Sequence, residues 1–225
     1  LHEKEKIYIP ELIFGNLLTS SNYDQKEKKH VGGKNGYGAK LTNIFSKCFT
    51  VETIDEKNKL KFSQTFRDNM KTKEKPKITK NSKKPYTQVT YTPDYARFNQ
   101  TGLTSDMIKI IEKRTYDMAA WTDNSVNVYL NGKKIESKNF ERYVDLYIGT
   151  KTETPRAYEK VNDRWEVCAC LTPYVSFEQV SFVNGIQTYK GGKHIDTLLN
   201  AISKRLAEII HKKNKVTVKP VFIKE

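Results

Sequence analysis

Gly32-Gly33-Lys34-Asn35-Gly36-Tyr37-Gly38-Ala39-Lys40, running directly into Leu41-Thr42-Asn43-Ile44-Phe45, decides how the rest of the chain is read. Four glycines fall within seven consecutive positions. Lacking Cβ atoms, they let the backbone take φ > 0 and bring its own N–H groups against a ligand. Lys34 and Lys40 frame that backbone with positive charge. From Ala39 onward the residues favour a helix, whose N-terminal N–H groups and positive dipole end face the same space. Glycine loop, lysines and helix start together predict a site for phosphate.

Spacing narrows which kind. Gly33 and Gly38 stand at the G-x-x-x-x-G interval, but Ala39 follows, Lys40 comes one place late, and no Ser or Thr comes after it. A Walker loop is excluded. Gly36-Tyr37-Gly38 is followed by Leu41 where a dinucleotide fingerprint needs a small residue, and no strand feeds directly into the turn. Upstream, Pro10 opens a predicted helix over Glu11 to Leu18, with Ile13, Phe14, Leu17 and Leu18 on one face. It runs into Thr19-Ser20-Ser21-Asn22-Tyr23-Asp24, small hydroxyl and amide side chains that make caps and turns. Beside a glycine loop the same side chains can hydrogen-bond a ribose or a phosphate. Residues 26–30 form a charged linker between the two.

Of 225 residues, 37% are hydrophobic and 11% aromatic, enough for packed cores in one large domain or two small ones. Forty Lys and Arg against 26 Asp and Glu give a formal charge of +14. Such a field attracts polyanions, nucleic acid first and an anionic membrane surface second. No apolar run approaches the ~20 residues of a membrane span, and no signal-peptide pattern is present. Cys48, Cys168 and Cys170 have no metal-ligand spacing and predict reduced thiols in a nuclear or cytosolic setting. The four histidines form no H-x-x-x-H cluster, so no side-chain metal site is expected.

Further along, Cys48 to Ile54, Leu60 to Phe66 and Tyr86 to Thr92 read as strands. Lys71 to Pro85 carries seven lysines and one glutamate, which suits a solvated loop better than a nucleic-acid patch. Thr104-Ser105-Asp106 caps a helix with Met107, Ile108, Ile111, Thr115 and Met118 as its expected buried stripe. Val126 to Leu130, Asn131-Gly132 and Ile135 give a hairpin signal. A domain boundary is placed after it, dividing 1–138 from 139–225. Beyond it Arg142 to Ile148, Arg164 to Leu171 and Gln179 to Val183 read as strands, with a loop over Thr150 to Lys160. A long helix is expected from Ile195 to His211, and a last strand from Val216 to Ile223.

The string Gly33 to Leu41, preceded by Leu12-Ile13-Phe14-Gly15 and by Leu17 to Tyr23, resembles the ATPase gate of eukaryotic-type type IIA DNA topoisomerases. The resemblance continues through Tyr143-Val144-Asp145-Leu146-Tyr147, Arg164-Trp165-Glu166-Val167, Ser181-Phe182-Val183-Asn184, Gly191-Gly192-Lys193-His194 and Lys212-Lys213-Asn214-Lys215. It covers nearly the whole chain, with its motifs in order. The fold it implies is α+β: a partial GHKL (Bergerat) ATPase α/β sandwich in 1–138, followed in 139–225 by the start of a transducer domain with a ribosomal-protein-like mixed βα fold.

That resemblance assigns residues one by one. Gly33, Lys34, Asn35, Gly36, Tyr37, Gly38, Ala39 and Lys40 match the ATP lid that wraps the triphosphate. Lys34 stands where the motif usually has arginine, keeping the charge but losing the planar fork. Ser20, Ser21 and Asn22 match the segment that touches ribose and phosphate, and Thr87 matches a threonine near the adenine. Ile13 and Phe14 are similar to residues beside the nucleotide, a position core packing explains equally well. His211, Lys212, Lys213 and Lys215 match a lysine loop that touches double-stranded DNA; three lysines and a histidine at a helix C-terminus also suit the helix dipole.

The resemblance also implies ATP and Mg²⁺ as cofactors, a homodimer through the ATPase gate, no membrane, and a nuclear location or a viral replication compartment. The catalytic glutamate, the Mg²⁺ ligands, the transducer lysine and the DNA-cleaving tyrosine match nothing here, so no catalytic residue is assigned. The chain thus reads as a piece of a longer enzyme. Two other readings remain: another GHKL ATPase of the mismatch-repair or chaperone type, and a basic nucleic-acid-binding protein whose glycine stretch is a mere turn.

Overall fold

The computed structural model describes residues 1–24, 26, 31–172 and 176–224. Of the linker expected over 26–30, only Lys26 lies within the described residues. Contacts divide the chain into two units, Leu1–Lys29 with Gly33–Thr104, and His30–Gly32 with Ser105–Glu225. Among the described residues every strand pair is antiparallel, and helices accompany the sheets in both units, an α+β arrangement.

The first unit opens with helix α1 (Ile9–Gly15), started by Pro10 after an extended Tyr8. It stops three residues short of the expected Leu18. Thr19 explains the early end: its hydroxyl donates to the carbonyls of Leu12 and Asn16, both at 3.1 Å, and so replaces a further helical turn. Leu18 turns away with φ 57°. Helix α2 (Tyr37–Ile44) follows the glycine loop, and then come strands β1 (Ser46–Asp55), β2 (Leu60–Arg67), β3 (Thr72–Lys73), β4 (Lys77–Lys80) and β5 (Thr87–Pro93). Their order is β3-β2-β1-β5, with β4 also paired to β2.

Alternation on these strands builds the core. Phe49 faces Phe66 on one side and Tyr91 on the other, while Val51 faces Gln64 and Val89. Phe49, Val51, Phe62 and Phe66 are buried, with Tyr8, Phe14, Met70 and Ile78 packed against them. Each of these phenylalanines contributes about 1.5–3 kcal/mol by leaving water. Gly15 seats α1 on the sheet, because a Cβ there would stand 2.7 Å from the Phe66 ring. The short strands β3 and β4 occupy six residues of the stretch 71–85, where a loop was expected. Ile78, the lone aliphatic residue of the lysine run, pairs with Phe62 and draws β4 onto the sheet.

The second unit begins with helix α3 (Ser105–Trp121). Its expected stripe is not buried: Met107, Ile108, Ile111 and Met118 are 36, 43, 51 and 38% exposed. Asp117 and Ala119 are buried instead, Asp117 because Tyr143 and Lys113 both donate to its carboxylate, at 2.6 and 2.9 Å. The hairpin β6 (Tyr129–Leu130) and β7 (Lys133–Lys134) turns at Asn131 and Gly132, with φ 50° and 76°, the type I′ geometry that Asn-Gly favours.

Residues 142–148, expected as a strand, lie in helix α4 (Phe140–Ile148). Asn139 caps it, its side-chain oxygen accepting the Arg142 N–H at 2.9 Å, and Phe140, Tyr143, Val144, Tyr147 and Ile148 recur at helical spacing. The expected loop over 150–160 gives way to strand β8 (Arg156–Asn162), paired with β9 (Trp165–Cys170). Arg156 anchors that hairpin to α4: its side chain, 1% exposed, donates to Asp145 at 2.9 Å. A second Asn-Gly turn, Asn184-Gly185, joins β10 (Phe182–Val183) to β11 (Ile186–Gln187), so only the end of the strand expected over 179–183 is extended in a ladder. Helix α5 (Lys193–Asn214) is followed by α6 (Pro220–Lys224). No strand forms over 216–223, since Pro220 presets a helical φ where the strand was expected.

Candidate nucleotide-phosphate site

The glycine loop folds back on the segment that follows α1, inside the first unit. Ser20 donates its hydroxyl to the carbonyl of Lys34 at 2.7 Å, and Asn22 donates its amide to the carbonyl of Gly33 at 2.9 Å. Ser20 also accepts the Asn22 N–H at 3.1 Å, fixing the turn between them. A trans peptide points its N–H opposite its carbonyl. Turning the Gly33 and Lys34 carbonyls toward Ser20 and Asn22 therefore aims the N–H groups of Lys34 and Asn35 the other way.

Gly36 then ends the loop in the left-handed region, φ 67° and ψ 22°, as the residue before α2. A Cβ at this position would meet the Thr19 carbonyl at 2.2 Å and the Lys40 ammonium at 3.0 Å, so glycine is required on two counts. No side chain caps the start of α2, which leaves its first-turn N–H groups for another acceptor. Lys40, in that first turn, is buried at 2% exposure and donates to the Thr19 carbonyl at 2.7 Å. Burial pushes its ammonium pKa down. Gly33 and Gly38 face open space, with nothing within 4 Å of a Cβ built on either.

Uncapped N–H groups, a left-handed glycine and room over two further glycines fit a polyphosphate. Lys34, Asn35 and Tyr37 are exposed along the same loop, Tyr37 at 43%. Ala39 is half-buried at the start of α2. Ser21 is exposed, and Ile13 lies exposed on α1. Phe14 packs on Phe49 at 6.0 Å between ring centres, and its carbonyl accepts the Asn43 amide at 3.1 Å. Thr87 starts β5, opposite Thr53, with the two hydroxyls 2.8 Å apart. It shares a sheet face with Phe49 and Val51 but is itself exposed. Among the described residues no three His, Cys, Asp or Glu converge on a point, so no residue here is assigned to Mg²⁺.

Residues 126–225 match the family described as DNA gyrase B. DNA topoisomerase 2 of Arabidopsis thaliana is 50% identical to the chain over 222 residues, which cover 96% of the chain and 15% of that protein. The solved ATPase region of Saccharomyces cerevisiae topoisomerase II superposes with a TM-score of 0.87 at 46% identity, covering 99% of the chain and 57% of the solved one. The solved ATPase and transducer domains of Balamuthia mandrillaris DNA topoisomerase II give 0.88 at 42% identity, with coverages of 99% and 57%. The chain belongs to the type II DNA topoisomerase family. It corresponds to part of that family's ATPase region and spans about a sixth of the length of its full relatives.

Seen as part of a topoisomerase ATPase region, two residues of this site gain a role that motif reading gave to their neighbours. Thr19 supplies the carbonyl that Lys40 holds and the hydroxyl that ends α1. Asn43, fully buried on α2, ties that helix to α1 through Phe14 and keeps an unpartnered side-chain oxygen. The hydroxyl-rich run 19–22 signals the first. Nothing in the sequence distinguishes Asn43 from a surface asparagine. In the second unit His211, Lys212 and Lys213 are exposed on the last turn of α5, and Lys215 ends it with φ 59°. The Lys215 N–H donates to the His211 carbonyl at 3.0 Å, and the His211 ring lies 3.4 Å from the Thr217 hydroxyl.

Proposed function

We propose that this chain supplies the phosphate-gripping lid of the ATP gate in a type II DNA topoisomerase, an enzyme that couples ATP binding and hydrolysis to passage of one DNA duplex through another. The observation that carries the reading is the loop itself: Ser20 and Asn22 hold the Gly33 and Lys34 carbonyls, Gly36 turns the chain, and α2 presents uncapped N–H groups. Backbone donors of this kind, preorganised toward one space, grip the oxygens of a triphosphate without having to reorganise. Lys34 adds a mobile charge at the rim, and Lys40 holds the loop to Thr19. Bound ATP would supply the γ-phosphoryl group whose hydrolysis drives the cycle. Among the described residues no acidic cluster fits Mg²⁺.

In the same reading, residues 1–138 complete the nucleotide-binding domain and 139–225 begin the transducer, a division drawn from the resemblance and falling within the second contact unit, Ser105–Glu225. The exposed His211, Lys212, Lys213 and Lys215 contact double-stranded DNA, the intact enzyme closes as a homodimer through this gate, and it works in the nucleus or in a viral replication compartment. Supercoil relaxation by the intact protein tests the proposal. Relaxation that requires ATP and is lost in Gly36→Ala supports it; relaxation without ATP overturns it. The isolated 225-residue chain is expected to hydrolyse little or no ATP, and steady turnover by it contradicts the division of labour drawn here.

A further inference from the structure

Half of the chain's formal charge sits on one stretch of sheet. Residues 55–84 hold eleven Lys and Arg against four acids, leaving +7 of the total +14. The fold gathers much of that at one end of the sheet. Lys57 and Lys59 lie in the turn between β1 and β2, and Lys80 is the β4 partner of Leu60. The Asn81 N–H donates to the Lys59 carbonyl at 2.8 Å, and the Ile54 N–H donates to the Tyr86 carbonyl at 3.1 Å. The segment bearing Lys83 and Lys84 thus crosses the same end. Lys71, Lys73 and Lys75 mark the opposite end, where β2 passes into β3. All of these lysines are exposed, and among the described residues none is in an ion pair.

Of the acids nearby, Glu56 stays exposed in the turn between β1 and β2, and the others have partners. Glu52 pairs with Lys61, Glu74 with Arg67, and Asp55 accepts from Asn58. Lysines do protect sheet edges from pairing with other chains, but that task needs them on the edge strand. Lys57, Lys59, Lys83 and Lys84 stand in connections, where there is no edge to protect. Like charges gathered at one end of a sheet repel, and a polyanion laid across them would relieve that repulsion. An eight-residue strand such as β2 spans about 26 Å, a length over which a duplex carries roughly fifteen phosphates. One duplex laid along β2 reaches both lysine clusters.

We propose that this lysine-lined end and edge of the first unit's sheet is a docking surface for the phosphate backbone of duplex DNA, read without regard to sequence. The assignment rests on the DNA-directed function proposed above and adds a contact separate from His211 to Lys215. The test replaces Lys57, Lys59, Lys80, Lys83 and Lys84 together by Gln in the intact protein. Affinity for a fluorescent duplex is then measured across a salt series, with far-UV circular dichroism and the thermal midpoint as fold controls. Each lost phosphate contact makes the log–log salt slope shallower by about 0.9. The expected result is a slope shallower by roughly 3–4 and affinity at low salt reduced at least ~10-fold, with the slope restored by Arg at the same five positions. A parental slope in the Gln variant overturns the proposal. So does an unchanged slope accompanied by weaker capture of polyglutamate, the result for a surface that takes an acidic polypeptide. If the parent fails to relax supercoils, the function reading falls while the slope comparison still decides this surface.

Discussion

The side chain of Lys40 reaches back across twenty-one residues to donate its ammonium to the backbone carbonyl of Thr19, at 2.7 Å. One end of that bond lies in the first turn of α2 and the other just beyond α1, so a single contact joins the two backbone segments of the proposed phosphate site. The lysine that closes the glycine motif is therefore committed to the protein's own backbone, buried at 2% exposure. Its burial has a cost, visible in the lowered pKa, that the Thr19 carbonyl offsets.

Lys40→Met keeps the aliphatic stem and removes the donor. The Thr19 carbonyl then loses its charged partner, a change of roughly 1–3 kcal/mol in stability. Urea unfolding of the intact protein should show that loss, and nucleotide affinity should fall with it because the loop is no longer held to Thr19. Unchanged stability together with unchanged affinity would show that the bond holds nothing.

Gly36→Ala and Gly33→Ala separate conformation from space. Gly36 has φ 67° and would drive a Cβ to within 2.2 Å of the Thr19 carbonyl, a backbone atom that cannot step aside cheaply. Loss of the loop conformation is expected, with nucleotide binding weakened at least ~10-fold, about 1.4 kcal/mol. Gly33 has nothing within 4 Å of its Cβ position, so its alanine variant should keep the thermal midpoint of the parent. Equal melting of the two variants would contradict the geometry described.

Gly38 sits inside α2 with open space around it. Gly38 does not need a positive φ, so alanine there restricts the unfolded chain and should raise stability by about 0.4–1 kcal/mol. The same methyl occupies room left over the first turn of the helix, so nucleotide affinity should drop. Calorimetric melting and titration with a non-hydrolysable ATP analogue read the two effects separately. A stabilised variant with full affinity would reduce the glycine stretch to a turn.

Much of this was legible in advance where local chemistry acts alone. The Asn131-Gly132 turn demanded φ > 0 at both residues and got it, and the β-branched and aromatic runs 48–54 and 60–66 form the strands β1 and β2. The errors arose where a distant partner decides. Tyr143, Val144 and Ile148 suit a strand by propensity, yet the Asn139 cap and the burial of Tyr143 against Asp117 make α4 a helix. Ile78 is one apolar residue among lysines, and its pairing with Phe62 cannot be read from spacing. At the glycine loop, residue types suggested phosphate binding, but the Ser20 and Asn22 contacts to its carbonyls exist only once the chain has folded back.

The buried hydroxyl of Tyr143 gives the second unit an alkaline limit. Burial first, then hydrogen bonds with Asp117 and Tyr147, raise its pKa above the ordinary 10.0. The folded chain thus keeps a proton that the unfolded chain begins to lose near that pH. The stabilisation is complete below pH 10 and is lost as pH rises beyond it. For one proton the limiting slope is about 1.4 kcal/mol per pH unit. Tyr143→Phe keeps the ring contacts with Tyr147 and Phe182, at 5.3 and 5.9 Å, and deletes the titrating group. Urea unfolding between about pH 9 and pH 11 should give the variant a shallower decline than the parent, the other tyrosines cancelling in the difference. Parallel declines would place the Tyr143 proton outside the folding equilibrium and detach it from Asp117.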